Sequence, residues 1–158
     1  MEKVNSVELK HFSDEYSEKL NQFELPEEQG LFTALPNKFT DVTKGQHRIV
    51  ILSDDEPVGF FLLHSTDRVK EYSTNPNAIL LTALSVDREQ QGKGYAKQGM
   101  FLLAEFVKSE FPNCDEIVLA VNHKNIPALK LYVKAGFHDT GLRKFGNIGE
   151  QFIMNLTI

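Results

Sequence analysis

The sequence predicts a single α/β domain on a mixed, mostly antiparallel central sheet of about seven strands, with helices on both faces. Three observations lead there. The chain has 158 residues, and at roughly 150 residues per domain that length fits one domain, 1–158. Between residues 79 and 137, apolar runs of strand length alternate with amphipathic helical segments, a pattern that needs right-handed crossovers and parallel pairing. On either side of that stretch, apolar runs meet across short polar clusters, which reads as antiparallel hairpins.

The elements follow in order. Residues 7–12 alternate Val7, Leu9 and His11 against Glu8, Lys10 and Phe12, a first strand. Ser13 or Asp14 N-caps a short helix through Leu20. Pro26 opens a second helix over 27–35, with Glu27 and Glu28 in the first turn where the dipole favours acids, and Pro36 closes it. Residues 47–53 and 57–65 flank the turn cluster Asp54-Asp55-Glu56-Pro57 and form a hairpin. The 58–63 run is apolar on both alternating faces, so that strand is central and covered on both sides. Residues 66–77, with Asn75-Pro76-Asn77, form a loop, and 79–86 another doubly covered strand. Over 92–111, Ala96, Gly99, Met100, Leu103, Phe106 and Val107 recur at three- and four-residue steps, giving a helix with one apolar stripe. Residues 117–121 make a buried strand, and 125–135 a second amphipathic helix with Gly136 as its C-cap. Residues 137–142 and 151–158 supply the last two strands.

Composition excludes several classes of function. Seventeen basic and 22 acidic residues give a net charge of −5, which argues against a nucleic-acid binder. No apolar run approaches the roughly 18 residues needed to span a bilayer. The first residues lack the apolar core of a secretory signal. The lone Cys114 excludes an internal disulfide and any CxxC metal or redox motif. The expectation is a cytoplasmic protein with no metal and no membrane or nucleic-acid partner.

The chemistry concentrates after the strand ending at Val86, in Asp87-Arg88-Glu89-Gln90-Gln91-Gly92-Lys93-Gly94-Tyr95-Ala96. A strand feeding a glycine-containing turn into a helix N-terminus aims free backbone N–H groups and the positive dipole end at one place. From Gly92 to Lys97 there is no acid and there are two lysines, the inverse of an ordinary helix start. Either an external anion supplies the negative charge, or this is a plain strand–helix turn with solvated lysines. The P-loop pattern fails because Asp87 and Gly94 stand where a glycine and a Ser or Thr are needed. The dinucleotide fingerprint fails at Lys97. Further on, Asn125 and Tyr132 are seven residues apart, about 700° at about 100° per residue, so they share one helical stripe. They are either a functional pair or an N-cap and a core-edge tyrosine.

Gln91-Gly92-Lys93-Gly94-Tyr95-Ala96 matches Gln/Arg-x-x-Gly-x-Gly/Ala, and residues 125–137 match Asn-x-x-Ala-x-x-Leu-Tyr-x-x-x-Gly-Phe. Leu84-Ser85-Val86 matches a segment where a fourth strand splays from a fifth. On these residues the chain resembles the GCN5-related N-acetyltransferase (GNAT) superfamily. The resemblance implies an acyl-CoA N-acyltransferase-like fold, acetyl-CoA as co-substrate, and direct transfer of an acetyl group to the primary amine of a small molecule, polyamine or amino-acid-like. It implies that Leu84, Ser85, Val86, Gln91, Gly92, Lys93, Gly94, Tyr95, Ala96 and Asn125 bind the coenzyme. A backbone N–H near residues 84–86 would stabilise the oxyanion, and Tyr132 would protonate the departing thiolate. Gly92 and Gly94 would let the backbone approach the pyrophosphate, and Ala96 would keep the helix close to the sheet. Lys93 adds charge there or is simply solvated, and Lys97, Lys130 and Lys134 are candidates for the 3′-phosphate.

The base stays open. Some relatives carry a Glu five residues before the Asn, and here that position is Ala120. Candidates are His123, His64, Glu24, Glu27, Glu28 and ordered water. The acceptor site would draw on residues 14–36, 66–77 and 140–149, with Asp67, Glu71 and Tyr72 either holding a cationic amine or solvated. A protein N-terminal or lysine acetyltransferase and a non-catalytic acyl-CoA-binding module remain alternatives, as do a monomer and a homodimer.

Overall fold

A computed structural model describes residues 6–158, so the first five residues of the expected domain lie outside the described residues. Seven strands form one sheet in the order β1-β2-β3-β4-β5-β7-β6. These are β1 (Val7–His11), β2 (Gln46–Ser53), β3 (Glu56–His64), β4 (Ala78–Val86), β5 (Glu116–Asn122), β6 (His138–Gly146) and β7 (Gly149–Thr157). Only β4 and β5 run parallel, through the crossover helix α2 (Tyr95–Glu110). Every other neighbouring pair is antiparallel. The mixed, mostly antiparallel sheet read from the sequence is the observed one.

Alternation along the central strands explains how both faces are covered. Ile49, Ile51, Phe61, Leu63, Ile79, Leu81, Ile117 and Leu119 face a core that contains Met100, Leu103 and Val107 of α2 and Tyr132 of α3 (Ile126–Lys134). Their neighbours Val50, Leu52, Phe60 and Leu62 face the other side, against Tyr16, Leu20 and Phe23 around α1 (Ser17–Asn21). Met100, Leu103 and Val107 are at most 1% exposed. Burying each contributes about 1.5–3 kcal/mol, so the apolar stripe rather than helix propensity fixes α2 to the sheet. Ile51 fits between two glycines: a Cβ at Gly59 or Gly99 would lie 2.8 or 2.9 Å from its Cδ1.

Four expectations need correction. The second helix does not form. Residues 27–35 hold one 3-10 stretch, Glu27–Leu31, with a second at Pro36–Lys38. No buried residue lies in Glu27–Leu31, so no apolar stripe stabilises an α-helix there. The first helix begins as a 3-10 turn, Asp14–Tyr16, and Ser13 makes no side-chain cap. The 92–111 helix starts late, at Tyr95, because Gly92 (φ +80°) and Gly94 (φ +82°) adopt the left-handed conformation. The last hairpin is longer than expected, closing at Gly146 and Gly149. The 66–77 loop also contains a 3-10 turn, Asp67–Glu71, whose Thr66 hydroxyl accepts from the Arg68 N–H at 3.4 Å. Asn125 caps α3, accepting from the Ala128 N–H at 3.4 Å, and Gly136 follows it at φ +101°. Among the described residues, no helix is long and apolar enough to cross a membrane.

Candidate active site

The site begins where β4 leaves its neighbours. β4 pairs with β5 only at Ala78, Ile79 and Leu80. On its other edge Phe60 and Leu62 of β3 pair with Ser85 and Thr82, so two residues of β3 span three steps of β4. The extra residue is a bulge, and Ala83 within it has φ +58°. A left-handed non-glycine residue costs of order 1–3 kcal/mol and persists where its surroundings over-determine it. The bulge turns β4 away from β5 and frees the backbone beyond Leu80 from strand pairing on that side.

Into this opening the chain delivers the glycine turn and the start of α2. The result is a cleft of about 690 Å³. It brings together Leu84, Ser85, Val86, Gln91, Gly92, Gly94, Tyr95, Ala96 and Asn125, all expected from the sequence. A Cβ at Gly92 would meet nothing within 4 Å, and one at Gly94 only the Gln98 amide at 3.7 Å. Both positions therefore face open space. The first turn of α2 carries no acid, so its partial positive charge is uncompensated. Lys97 and Lys124 also line the cleft. Ser85 is 3% exposed and its hydroxyl is buried without a hydrogen-bond partner.

Four expected residues lie outside this lining, Lys130 and Lys134 of α3 among them. Lys93 is exposed and donates to the Gln90 side-chain oxygen at 3.2 Å, away from the cleft lining. Tyr132 is also outside that lining. Its ring packs edge-on against Phe137, with centroids 5.6 Å apart. Burial pushes its phenol pKa far up, so the hydroxyl is neutral.

The cleft's second wall comes from residues 28–33, inside the 14–36 stretch expected at the acceptor site, but its links to β4 were not expected. Gln29 and Gln91 exchange two amide hydrogen bonds, at 3.0 and 2.9 Å, and Gln91 also donates to the Val86 carbonyl at 2.8 Å. The Thr33 hydroxyl donates to the Leu84 carbonyl at 2.9 Å. Asp87, buried, accepts from the Glu24 N–H at 3.0 Å. Side-chain hydrogen bonds, together with the Arg88 N–H donating to the Glu24 carbonyl at 2.8 Å, thus tie residues 24–33 to β4 and the segment that follows it.

A second pocket, about 430 Å³, adjoins the first, and Phe32, Thr33 and Ala83 line both. Its other walls include Thr82 of β4, His64 of β3, Arg68 and Tyr72 after β3, Ala120 of β5 and Gln151 of β7. The expected acceptor elements contribute through 14–36 and 66–77, while the last hairpin contributes Gln151 in place of 140–149. Asp67 and Glu71 do not line it: Asp67 pairs with Lys70 at 3.2 Å, and Glu71 with Lys144 at 2.9 Å. Of the base candidates, Glu28 lines the cleft and His64 the pocket. His64, 1% exposed, bonds through Nε2 to the Thr82 hydroxyl at 2.6 Å, and its Nδ1 has no partner. Burial first, then the Arg68 and His47 charges, bring its pKa down to about 4, so the ring is neutral near pH 7.

A parallel pair that splays at a bulge, facing a glycine turn and an acid-free helix start, defines the acyl-transfer class of α/β folds. The chain belongs to the Acetyltransferase (GNAT) family, which matches residues 9–137. It is an acetyltransferase, and acetyl-CoA is the family's co-substrate. An uncharacterised N-acetyltransferase of Bacillus subtilis (strain 168), YbbJ, is 46% identical over 156 residues, spanning 96% of this chain and 98% of the relative. The aminoglycoside acetyltransferase AAC(6')-Ib, solved with paromomycin and acetyl-CoA, shares the fold with a TM-score of 0.75 at 18% identity, over 96% and 93% of the two chains. A Bacillus subtilis acetyltransferase solved with CoA aligns with a TM-score of 0.66 at 18% identity, over 98% and 99%.

Proposed function

We propose that this chain, acting as one cytoplasmic domain, transfers an acetyl group from acetyl-CoA to the primary amine of a small molecule. The observation that carries this reading is the junction of the cleft and the second pocket along Phe32, Thr33 and Ala83. A donor and an acceptor can meet there without either crossing the sheet.

The residues present fit the coenzyme. Gly92 and Gly94 open the turn to a phosphate, the α2 N-terminus presents free N–H groups, and Lys97 and Lys124 add positive charge. The edge of β4 at Leu84, Ser85 and Val86, which β5 does not pair, offers strand-like hydrogen bonding to an extended arm beside the Thr33 and Gln91 contacts to the Leu84 and Val86 carbonyls. Gln91 and Asn125 fix the cleft's two rims through Val86 and the start of α3. Tyr95 and Ala96 form its floor at the helix start. Acetyl-CoA supplies a thioester carbonyl, and the nitrogen–carbon bond forms as the carbon–sulfur bond breaks.

The chain's own groups then have defined tasks. Backbone N–H groups at the β4 bulge donate to the oxygen that gains charge. Tyr132, which the family resemblance assigns to protonate the departing sulfur, is neutral through burial and would have to reach that sulfur from outside the cleft lining. Lys93, paired with Gln90, contributes only a distant charge to the phosphates. The small second pocket favours a compact amine over a protein segment. The net charge of −5 speaks against a nucleic-acid partner.

Release of free thiol from acetyl-CoA on addition of amines tests the reading. Release driven by small primary amines is expected. Release with peptide amines alone, or with no amine, overturns it.

A further inference from the structure

The second pocket has an unbalanced charge. None of its lining residues is an Asp or Glu, yet Arg68 is there. The two acids of the neighbouring turn are already engaged, Asp67 by Lys70 and Glu71 by Lys144. Arg68 has no such partner: among the described residues its guanidinium makes no hydrogen bond or ion pair, although its charge helps to lower the Glu71 pKa after Lys144 does. Lys144, which lies over the Tyr72 ring at 4.8 Å and pairs in register with the pocket residue Gln151, carries its Glu71 partner with it, so Arg68 is the cation left in excess. The remaining polar residues of the lining, Thr33, Gln46, Gln151, Tyr72 and the His64–Thr82 pair, include no carboxylate, and burial keeps His64 uncharged.

An alkylamine has a pKa near 10.4 and arrives as an ammonium ion. A polyamine would bring two or more positive charges to a pocket that holds one unpaired guanidinium and no carboxylate. An amine that also carries an anion arrives with its charges balanced. Its anion can take the fork of donors that a guanidinium presents.

Resting on the acetyltransferase reading above, we propose that the acceptor is an anionic amine, bearing a carboxylate or phosphate that Arg68 binds while its amino group lies toward Ala83. Arg68 is then a specificity determinant of the pocket. In the step itself, the neutral amine nitrogen bonds to the acetyl carbon, the carbon–sulfur bond breaks, and the proton lost from nitrogen balances the one gained by sulfur. The anion takes no part in the bond changes and only positions the amine.

The test uses matched acceptors that differ in the anion: serine, phosphoethanolamine and ethanolamine; phenylalanine and phenethylamine; histidine and histamine; lysine and cadaverine. Free thiol released from acetyl-CoA gives kcat/KM for each. The expected result is that anionic members exceed their partners by about ten- to a hundredfold. Serine against phosphoethanolamine shows which anion is preferred. Arg68→Ala should erase the preference, and Arg68→Glu should turn it toward cadaverine. Arg68 is exposed, and both variants should keep the thermal shift that acetyl-CoA produces in the parent. Preferred turnover of ethanolamine, histamine or cadaverine, or an anion preference that survives Arg68→Ala, overturns the anionic acceptor and leaves the small-amine reading intact. Turnover of none of these amines, with acetyl-CoA still bound, overturns both.

Discussion

Gly94→Glu separates a binding effect from a folding effect, because each can be estimated in advance. Gly94 has φ +82°, and a Cβ built there meets only the Gln98 amide at 3.7 Å, an ordinary contact. The added side chain therefore has room, and the folding cost is the left-handed backbone alone, roughly 1–2 kcal/mol. For a domain of this size, about 2–4 °C is lost per kcal/mol, so the melting midpoint should fall by about 2–8 °C. Acetyl-CoA at a hundred times its Kd stabilises the parent by about 2.7 kcal/mol, or about 5–11 °C on the same scale. In Gly94→Glu that rise should vanish, because the carboxylate enters the place where the α2 N-terminus awaits an anion. Gly94→Ala carries the same strain without the charge and serves as the control for folding. Melts of the three proteins with and without acetyl-CoA, alongside free CoA and ATP, decide the matter. A Glu variant that retains the full acetyl-CoA shift would refute the phosphate cradle.

Other outcomes follow from the same geometry. Tyr132→Phe should lower turnover by about ten- to a thousandfold while leaving acetyl-CoA affinity unchanged; parent-like turnover removes Tyr132 from the chemistry. His64, whose folded pKa of about 4 lies below its ordinary 6.5, binds fewer protons folded than unfolded. Stability should thus be complete above about pH 6.5 and fall as the pH drops toward 4, by up to about 3 kcal/mol. Melts across that range should be flatter for His64→Gln, and an equally steep loss in that variant would assign the slope to other groups.

What could be read in advance divides along physical lines. Elements set by side-chain period were legible: the doubly apolar β3 run, the α2 stripe, and the Asn125 cap with Gly136 beyond α3. The glycine turn and nearly all of its expected partners converge on one cleft because they are close in sequence and share a strand–helix junction. Ala83 gave no warning, since a bulge arises from how β4 meets β3 and not from alanine itself. Gln29 was equally hidden. Its partner is 62 residues away, and the acids after Pro26 imitate a helix start while nothing nearby supplies an apolar face. Glu71 looked available for a cation, but its partner Lys144 is 73 residues away and shows only in three dimensions, whereas Asp67 pairs locally with Lys70.

The brief β4–β5 pairing has one more consequence. It divides the sheet into two contiguous stretches of chain, β1 to β4 with α2 packed on them, and β5, β7 and β6 with α3. The cleft takes one wall from each: Gln91, Gly92 and Gly94 with the start of α2 from the first stretch, and Lys124, Asn125, Ala128 and Leu131 from the second. Neither stretch alone can make the site. A molecule that fills the seam also rivets the two halves together, so the donor that equips the protein for chemistry also acts as a mechanical fastener of its fold.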